Sequence, residues 1–318
     1  MIRIVFMGTP EFAVASLEKI ISEGFCVVGV VTAPDKPAGR GLLLREPPVK
    51  TAAKKHGLPV WQPENLKDPS FLSQLQALNA DVFVVVAFRM LPEAVWKMPP
   101  KGTFNLHASL LPQYRGAAPI HWAVINGEKE TGVTTFFISH DIDTGNIIFQ
   151  EKVPIADDDT AGTLHDKLMH VGAALVCKTL RAIEAGNCPS VPQSQIFSGP
   201  LRPAPKLFRE NCRIDWQQEC QKIHHLVRGL NPFPGAWTEL ITATGEKYTV
   251  KLFDTLPASL PSSGNKAGTI VPGPQKELMV ATGTTFLQIL SLQMEGRKKL
   301  SAEEFLRGFH HIENAVFQ

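Results

Sequence analysis

The sequence predicts an α/β protein in two domains, a parallel sheet covered by helices followed by a small β-barrel. Three observations carry that expectation. Short, Val-rich apolar runs alternate with helix-like stretches in the first half, as strands buried on both faces do. Residues 186–209 hold five Pro, few helix signals and scattered charge, the composition of a linker. Five short strand-like segments with Gly/Pro turns fill the second half, a pattern that suits a barrel of the OB type. The 318 residues suit two domains, and 44% hydrophobic composition lets each bury a core. The boundaries follow as 1–190, a linker at 191–209, and 210–318.

In chain order, the apolar run 2–7 is a first strand, closed by Gly8-Thr9-Pro10 and followed by a helix over 10–22. Strands are expected at 26–32, 81–87 and 103–107, and helices at 47–56, 69–78, 118–126 and 160–185. The last opens on Asp157-Asp158-Asp159-Thr160, which suits a helix N-terminus. Ile214-Asp215-Trp216 begins the second domain, with a short helix over 217–228 carrying Ile223, Leu226 and Val227. Strands over 236–242, 248–254, 268–271, 278–281 and 285–293 complete it.

Composition excludes several classes. No apolar run reaches membrane-spanning length, and the start reads as a buried strand, not a signal peptide. Cys26, Cys177, Cys188, Cys212 and Cys220 are odd in number and lack CxxC spacing, so they read as reduced thiols of a cytoplasmic protein. Net charge is only +2, with 19 basic and 19 acidic residues in 1–205 and 13 and 11 in 206–318. Any nucleic-acid contact must therefore rest on local patches.

The chemistry-bearing segment is Phe104-Asn105-Leu106-His107-Ala108-Ser109-Leu110-Leu111-Pro112-Gln113-Tyr114-Arg115-Gly116. Asn105 and His107, spaced i and i+2, share one side of a strand, and a Pro and a Gly then turn the chain away. They can present an amide and an imidazole to one reacting group. On residue types alone, catalysis and an ordinary structural role stand level for His107. Asp143 is a third candidate, in competition with Asp141, and a loop Asp can equally cap a turn. It gains a role if it reaches His107 and stabilises the protonated ring. Gly8-Thr9-Pro10-Glu11 lacks the later glycines of a dinucleotide loop, which disfavours a nicotinamide-dependent dehydrogenase. No HExxH or comparable set appears, so no metal is expected. The stretch 32–45 is long for a βα connection, with Arg40 between two glycines and Lys36, Arg45, Lys50, Lys54 and Lys55 nearby. It is either a solvated loop or a finger that enters a polyanion.

Together these residues resemble the methionyl-tRNA formyltransferase family over nearly the whole chain. The resemblance rests on Phe-Met-Gly-Thr-Pro-Glu-Phe-Ala, Pro-Asp-Lys-Pro-Ala-Gly-Arg-Gly, the Asn105–Gly116 segment, Asp141-Ile142-Asp143-Thr144-Gly145, and Asn231-Pro232-Phe233-Pro234-Gly235-Ala236-Trp237. It implies a Rossmann-like N-terminal formyltransferase domain and an OB-like, tRNA-contacting C-terminal domain. The implied reaction is formyl transfer from 10-formyltetrahydrofolate, a co-substrate, to the α-amino group of methionyl initiator tRNA, without a metal or an obligate protein partner. The family's catalytic Asn, His and Asp fall on Asn105, His107 and Asp143. Its folate contacts fall on Ser109, Leu110, Leu111 and Pro112, with Phe88, Arg89, Met90 and Leu91 in the pterin pocket. Its tRNA contacts are expected at Lys36, Arg40 and Arg45, and in the second domain at Arg297, Lys298 and Lys299.

The chain departs from the family pattern at Ala87–Pro92, where many relatives have a longer Gly-containing stretch, and at Leu42-Leu43-Leu44, where relatives often carry two Lys. An apolar wedge is expected there. Rival readings are formylation of an amino-sugar nucleotide, hydrolysis of 10-formyltetrahydrofolate, and a non-catalytic tRNA- or folate-binding protein. The long Gly-Arg-Gly loop discriminates against the first, and the complete Asn/His/Asp set against the last.

Overall fold

Ile4, Val5, Phe6 and Met7 have no exposed surface, and they form the centre of the first sheet. The computed structural model describes residues 1–38, 43–273, 277–309 and 312–318. The chain divides into two units. The first comprises Met1–Gly116, Glu130–Pro154 and His165–Ala204. The second comprises Ala117–Lys129, Ile155–Leu164 and Pro205–Gln318.

In chain order the elements are β1 (Arg3–Gly8), α1 (Glu11–Ser22), β2 (Cys26–Val31), β3 (Lys36–Ala38), β4 (Leu43–Arg45), α2 (Pro48–Lys55) and β5 (Val60–Trp61). Then come α3 (Pro69–Ala77), β6 (Val82–Val86), α4 (Glu93–Trp96), β7 (Thr103–His107), α5 (Pro119–Ile125), β8 (Glu130–Phe137), β9 (Ile147–Pro154), α6 (Ala161–Glu184) and α7 (Gln193–Ile196). The first sheet has the order β5-β2-β1-β6-β7-β8-β9. The five strands β5 to β7 in that order are parallel. Their Val/Ile content follows from burial on both faces.

The strands β8 and β9 correct the expectation of a purely parallel sheet, because both join antiparallel. Their sequences hid them. Thr131, Thr134 and Thr135 of β8 are buried although polar, so the run lacks an apolar signature. Residues 193–204, expected within the linker, hydrogen-bond to the loops of the first unit. Val191 and Ile147 exchange backbone hydrogen bonds at 2.8 and 2.9 Å, the Tyr114 N–H donates to Arg202 O at 2.7 Å, and the Ala204 N–H donates to Arg115 O at 2.8 Å.

The second unit continues with α8 (Cys220–Leu230), β10 (Ala236–Ile241), β11 (Lys247–Pro261), β12 (Ile270–Pro272), β13 (Leu278–Ala281), β14 (Thr285–Met294), β15 (Leu300–Ser301), α9 (Ala302–Gly308) and β16 (Val316–Phe317). The strand order is β12-β13-β14-β11-β10-β16, all antiparallel, with β15 beside β14. A bridge between Thr269 and Val316 brings the two ends together, which nearly closes the barrel. Trp216 stacks on Phe317 at 5.5 Å and donates its indole N–H to Thr238 Oγ1 at 2.9 Å in this core. The strand β11 runs seven residues past the expected end at 254, through Pro257 to Pro261. Prolines argue against a strand interior, and the register shifts around Asp254 and between Pro257 and Pro261 are how this one absorbs them. The helix α9 was also missed, although Ser301 and Glu304 form a reciprocal capping box.

Candidate active site

The parallel strands β1, β6 and β7 end side by side at Gly8, Val86 and His107. The chain runs outward from β1 through β2 to β5 and then returns to β6 on the other side of β1, the reversal of strand order at whose carboxyl ends α/β sheets place their ligands. Gly8 permits this convergence. A Cβ at that position would sit 2.6 Å from Ala13 Cβ and 2.9 Å from Val86 O. The next strand, β7, carries Asn105 and His107 to this edge on one side of the pleat, Asn105 half-buried and His107 only 7% exposed.

His107 has one nitrogen on a fixed acceptor. Nε2 lies 2.9 Å from Tyr114 O, and a carbonyl cannot donate, so Nε2 carries a hydrogen. The proton of variable occupancy therefore belongs to Nδ1, which faces Asp143 Oδ2 at 3.8 Å. The same carboxylate oxygen accepts the Gly116 N–H at 3.0 Å. Asp141 is exposed and contributes its carbonyl to the Thr144 hydroxyl, so of the two sequence candidates Asp143 is the one brought to the imidazole. Tyr114 and Asp143 both hold positive φ, 59° and 55°, which non-glycine residues adopt only under constraint.

The segment after His107 is pinned by side chains from the antiparallel strands. Thr134 Oγ1 donates to Ser109 O at 2.6 Å and accepts the Leu111 N–H at 3.1 Å. Gln150 Nε2 donates to Leu111 O at 2.9 Å and to Thr134 Oγ1 at 3.0 Å. The Ser109 hydroxyl is spent on Gln113 O at 2.6 Å, Leu110 is half-buried, Leu111 is buried, and the Leu111–Pro112 bond is cis. Thr134 and Gln150 were not singled out from sequence. A buried threonine in a strand was the available signal.

Of the residues after β6, Phe88 packs on the apolar cluster that includes Leu91, while Met90 is 73% exposed. The Arg89 guanidinium turns inward, Nη1 donating to Glu64 O at 2.7 Å and Nη2 to Pro63 O, while Nε is buried without a hydrogen-bond partner among the described residues. The long connection after β2 is a two-stranded ribbon in which Lys36 faces Arg45, both exposed. Arg40 lies outside the described residues. At the base, Lys50 bonds Asp35 at 2.6 Å and Glu46 at 3.2 Å, and Lys54 also pairs with Glu46. The hydrogen bond to Asp35 holds the Lys50 pKa above its usual value.

In the second unit Arg297 and Lys298 are exposed, whereas Lys299 pairs with Asp254 at 2.8 Å. Beside them runs a groove of about 670 Å³ walled by Phe208, Phe233 and Trp237 with Lys206, Arg209 and Lys251. The guanidinium carbons of Arg209 and Arg213 lie 4.9 and 5.4 Å from the Trp237 ring centroid. No cluster of metal-ligating side chains occurs among the described residues.

Residues 2–180 match the family model for formyl transferases and residues 206–310 that for the formyl transferase C-terminal domain. The methionyl-tRNA formyltransferase of Bacteroides fragilis is 54% identical over 314 residues, covering 98% of this chain and 96% of its own. That of Flavobacterium johnsoniae is 48% identical, covering 99% and 98%. The chain belongs to the methionyl-tRNA formyltransferase family. It is thus a transferase, and the Asn105, His107 and Asp143 constellation lies within the residues matched to the formyl transferase family. The fold is shared with solved structures of low identity. One is HypX from Aquifex aeolicus in complex with tetrahydrofolic acid, with a TM-score of 0.65, 18% identity, and coverage of 96% of this chain and 47% of that one. Another is the sugar 3N-formyltransferase WlaRD, with a TM-score of 0.65, 20% identity, and coverage of 94% and 99%.

Proposed function

We propose that the protein transfers a formyl group from 10-formyltetrahydrofolate to the α-amino group of methionyl initiator tRNA, with His107 and Asp143 moving the proton and Asn105 holding the oxyanion. The observation that carries this reading is the His107 geometry: Nε2 is fixed on Tyr114 O, and Nδ1 faces a carboxylate at 3.8 Å. Acyl transfer to an amine passes through a tetrahedral intermediate bearing a negative oxygen. The Asn105 amide donates to that oxygen, and one such donor is typically worth about 3 kcal/mol. The attacking amine must lose a proton and N10 of the folate must gain one. His107 Nδ1 accepts the first, Asp143 stabilises the resulting imidazolium, and the ring returns the proton to the leaving nitrogen. No covalent enzyme intermediate is needed.

The turn at 109–112 and the segment 88–91 line the formyl-donor side in this reading. Phe88 and Leu91 belong to one apolar cluster and contribute apolar surface to the pterin, while two loop carbonyls hold the Arg89 Nη groups. Lys36 and Arg45 of the ribbon, together with Arg40, and the second unit's Arg297 and Lys298 contact tRNA phosphates, and the aromatic, cationic groove beside Trp237 suits unpaired bases. Lys299 is committed to Asp254 and is the weakest of these contacts.

The test is transfer of radiolabelled formyl to charged initiator tRNA, with elongator methionyl-tRNA, a dTDP-amino sugar and water alone as competing acceptors. The reading expects initiator tRNA to be the preferred acceptor and His107→Ala to lower kcat by about 10²–10⁴-fold. Preferred formylation of the sugar, or release of formate without an amine, overturns it.

A further inference from the structure

Gln193 lies between the two matched family regions, in a stretch that reads from sequence as proline-rich connection. Its side chain is nevertheless 4% exposed, and every hydrogen-bonding position of its carboxamide is used. Nε2 donates to Asp143 O at 2.8 Å and to Gly145 O at 2.9 Å. Oε1 accepts from Arg115 Nε at 3.1 Å and Nη2 at 2.6 Å. The orientation of the amide follows from its partners: two carbonyls require donors and a guanidinium requires an acceptor. A carboxylate or an apolar side chain cannot serve both.

The two sides of this clamp meet again at the catalytic carboxylate. Arg115 immediately precedes Gly116, whose N–H holds Asp143 Oδ2 at 3.0 Å. Asp143 itself sits at φ +55°, a conformation that costs a non-glycine residue about 1–3 kcal/mol unless its surroundings impose it. Gly145 lies close against the Phe137 backbone, where a Cβ would sit 1.6 Å from Phe137 O, so no side chain fits at that position. The clamp is also anchored from behind, through the backbone pair between Val191 and Ile147.

We propose that Gln193 is a positioning residue for catalysis: by tying Arg115 to the Asp143 backbone it sets the register of the Asp143 carboxylate against His107. The inference rests on the roles assigned to His107 and Asp143 under the proposed function. A displacement of about 1 Å at a reacting group can cost about a hundredfold in rate, which is the scale expected when the clamp is lost.

The experiment is a double-mutant cycle of Gln193→Glu and Gln193→Leu with Asp143→Ala, using methionyl initiator tRNA and 10-formyltetrahydrofolate. Gln193→Glu keeps the Arg115 pairing, and so a folded protein, while facing an acceptor toward the carbonyls of 143 and 145. The folded fraction of each variant, measured by circular dichroism, normalises its kcat. The expected result is a kcat about ten- to a hundredfold lower in both single variants, with both KM values within twofold and the kcat–pH profile displaced. In the Asp143→Ala background either Gln193 change should have no further effect, because its target is gone. Equal losses in both backgrounds, or a pH profile that overlays the parent, overturn the positioning role. Normal kcat in Asp143→Ala alone would instead refute the role given to Asp143, so the two failures are distinguishable.

Discussion

Tyr114 and Asp143 share an unusual backbone state, and both present a group to the same imidazole. Tyr114 supplies the carbonyl that fixes Nε2, and Asp143 the carboxylate opposite Nδ1. The geometry proposed for catalysis includes two strained backbone positions that neighbouring hydrogen bonds hold in place. The expected outcome for Asp143→Asn is a fall in kcat with folate affinity preserved, checked by single-turnover kinetics and equilibrium titration of the folate. Near-normal chemistry would remove Asp143 from the mechanism. A second residue, His224, carries a distinct pH signature. Burial first, then the charges of Arg228 and His225, push its pKa from 6.5 down to about 4, against the opposing pull of Asp157, while Nδ1 lies 2.9 Å from Thr255 Oγ1. Between pH 6.5 and about 4 the unfolded chain binds a proton that the folded one refuses. Stability is therefore full above that window and declines as pH falls through it. His224→Gln should flatten this part of a stability–pH curve measured by urea unfolding, and an unchanged slope would contradict the assignment.

At the scale of elements, the loop 141–145 depends on the close approach of Gly145 to Phe137 O, 1.6 Å from where a Cβ would be. Gly145→Ala should cost at least about 3 kcal/mol, read as a shift in denaturant midpoint. The ribbon of β3 and β4 makes a different prediction. Lys36 and Arg45 are exposed cross-strand neighbours, so replacing both by Ala should raise KM for the tRNA while leaving KM for the folate within twofold. Equal changes in both constants would assign the ribbon to the fold instead. Much of this was readable in advance. The strands at 26–31 and 82–86 announce themselves because burial on both faces demands nearly continuous apolar residues. The pair Asn105 and His107 was visible for the complementary reason, as polar residues breaking such a run. The strands β8 and β9 were not: the buried threonines of β8 look like surface, and the apolar start of β9 gives way to Gln150, Glu151 and Lys152. Gln193 was invisible as well: its meaning lies in partners 78 and 50 positions away.

For the whole molecule, net charge is a poor guide to what a polyanion would meet. The chain carries only +2, and Lys50, Lys54 and Lys299 are already matched to carboxylates. Among the described residues, four exposed cations remain on the proposed tRNA surface, Lys36, Arg45, Arg297 and Lys298. With Arg40 added, a plot of log kcat/KM against log salt should therefore be linear with a slope of roughly −4 to −5. Arg297→Ala with Lys298→Ala should make that slope shallower by about two. A response unaffected by the pair would remove the second unit's turn from the tRNA surface.

The strap from Gln193 to Ala204 is buried at both ends and exposed between them, with Phe197 and Leu201 facing solvent. Exposed segments of this kind are where proteases cut. A chymotrypsin-type enzyme should nick the chain there, leaving Asp143, Gln193 and Arg115 together on one fragment and Arg202 and Ala204, which pair with the Tyr114 and Arg115 backbone, on the other. Neither sheet loses a strand by such a cut. Turnover should then fall while the circular dichroism spectrum stays that of the intact protein, because the Tyr114 turn that holds His107 loses the covalent continuity of its Arg202 and Ala204 partners.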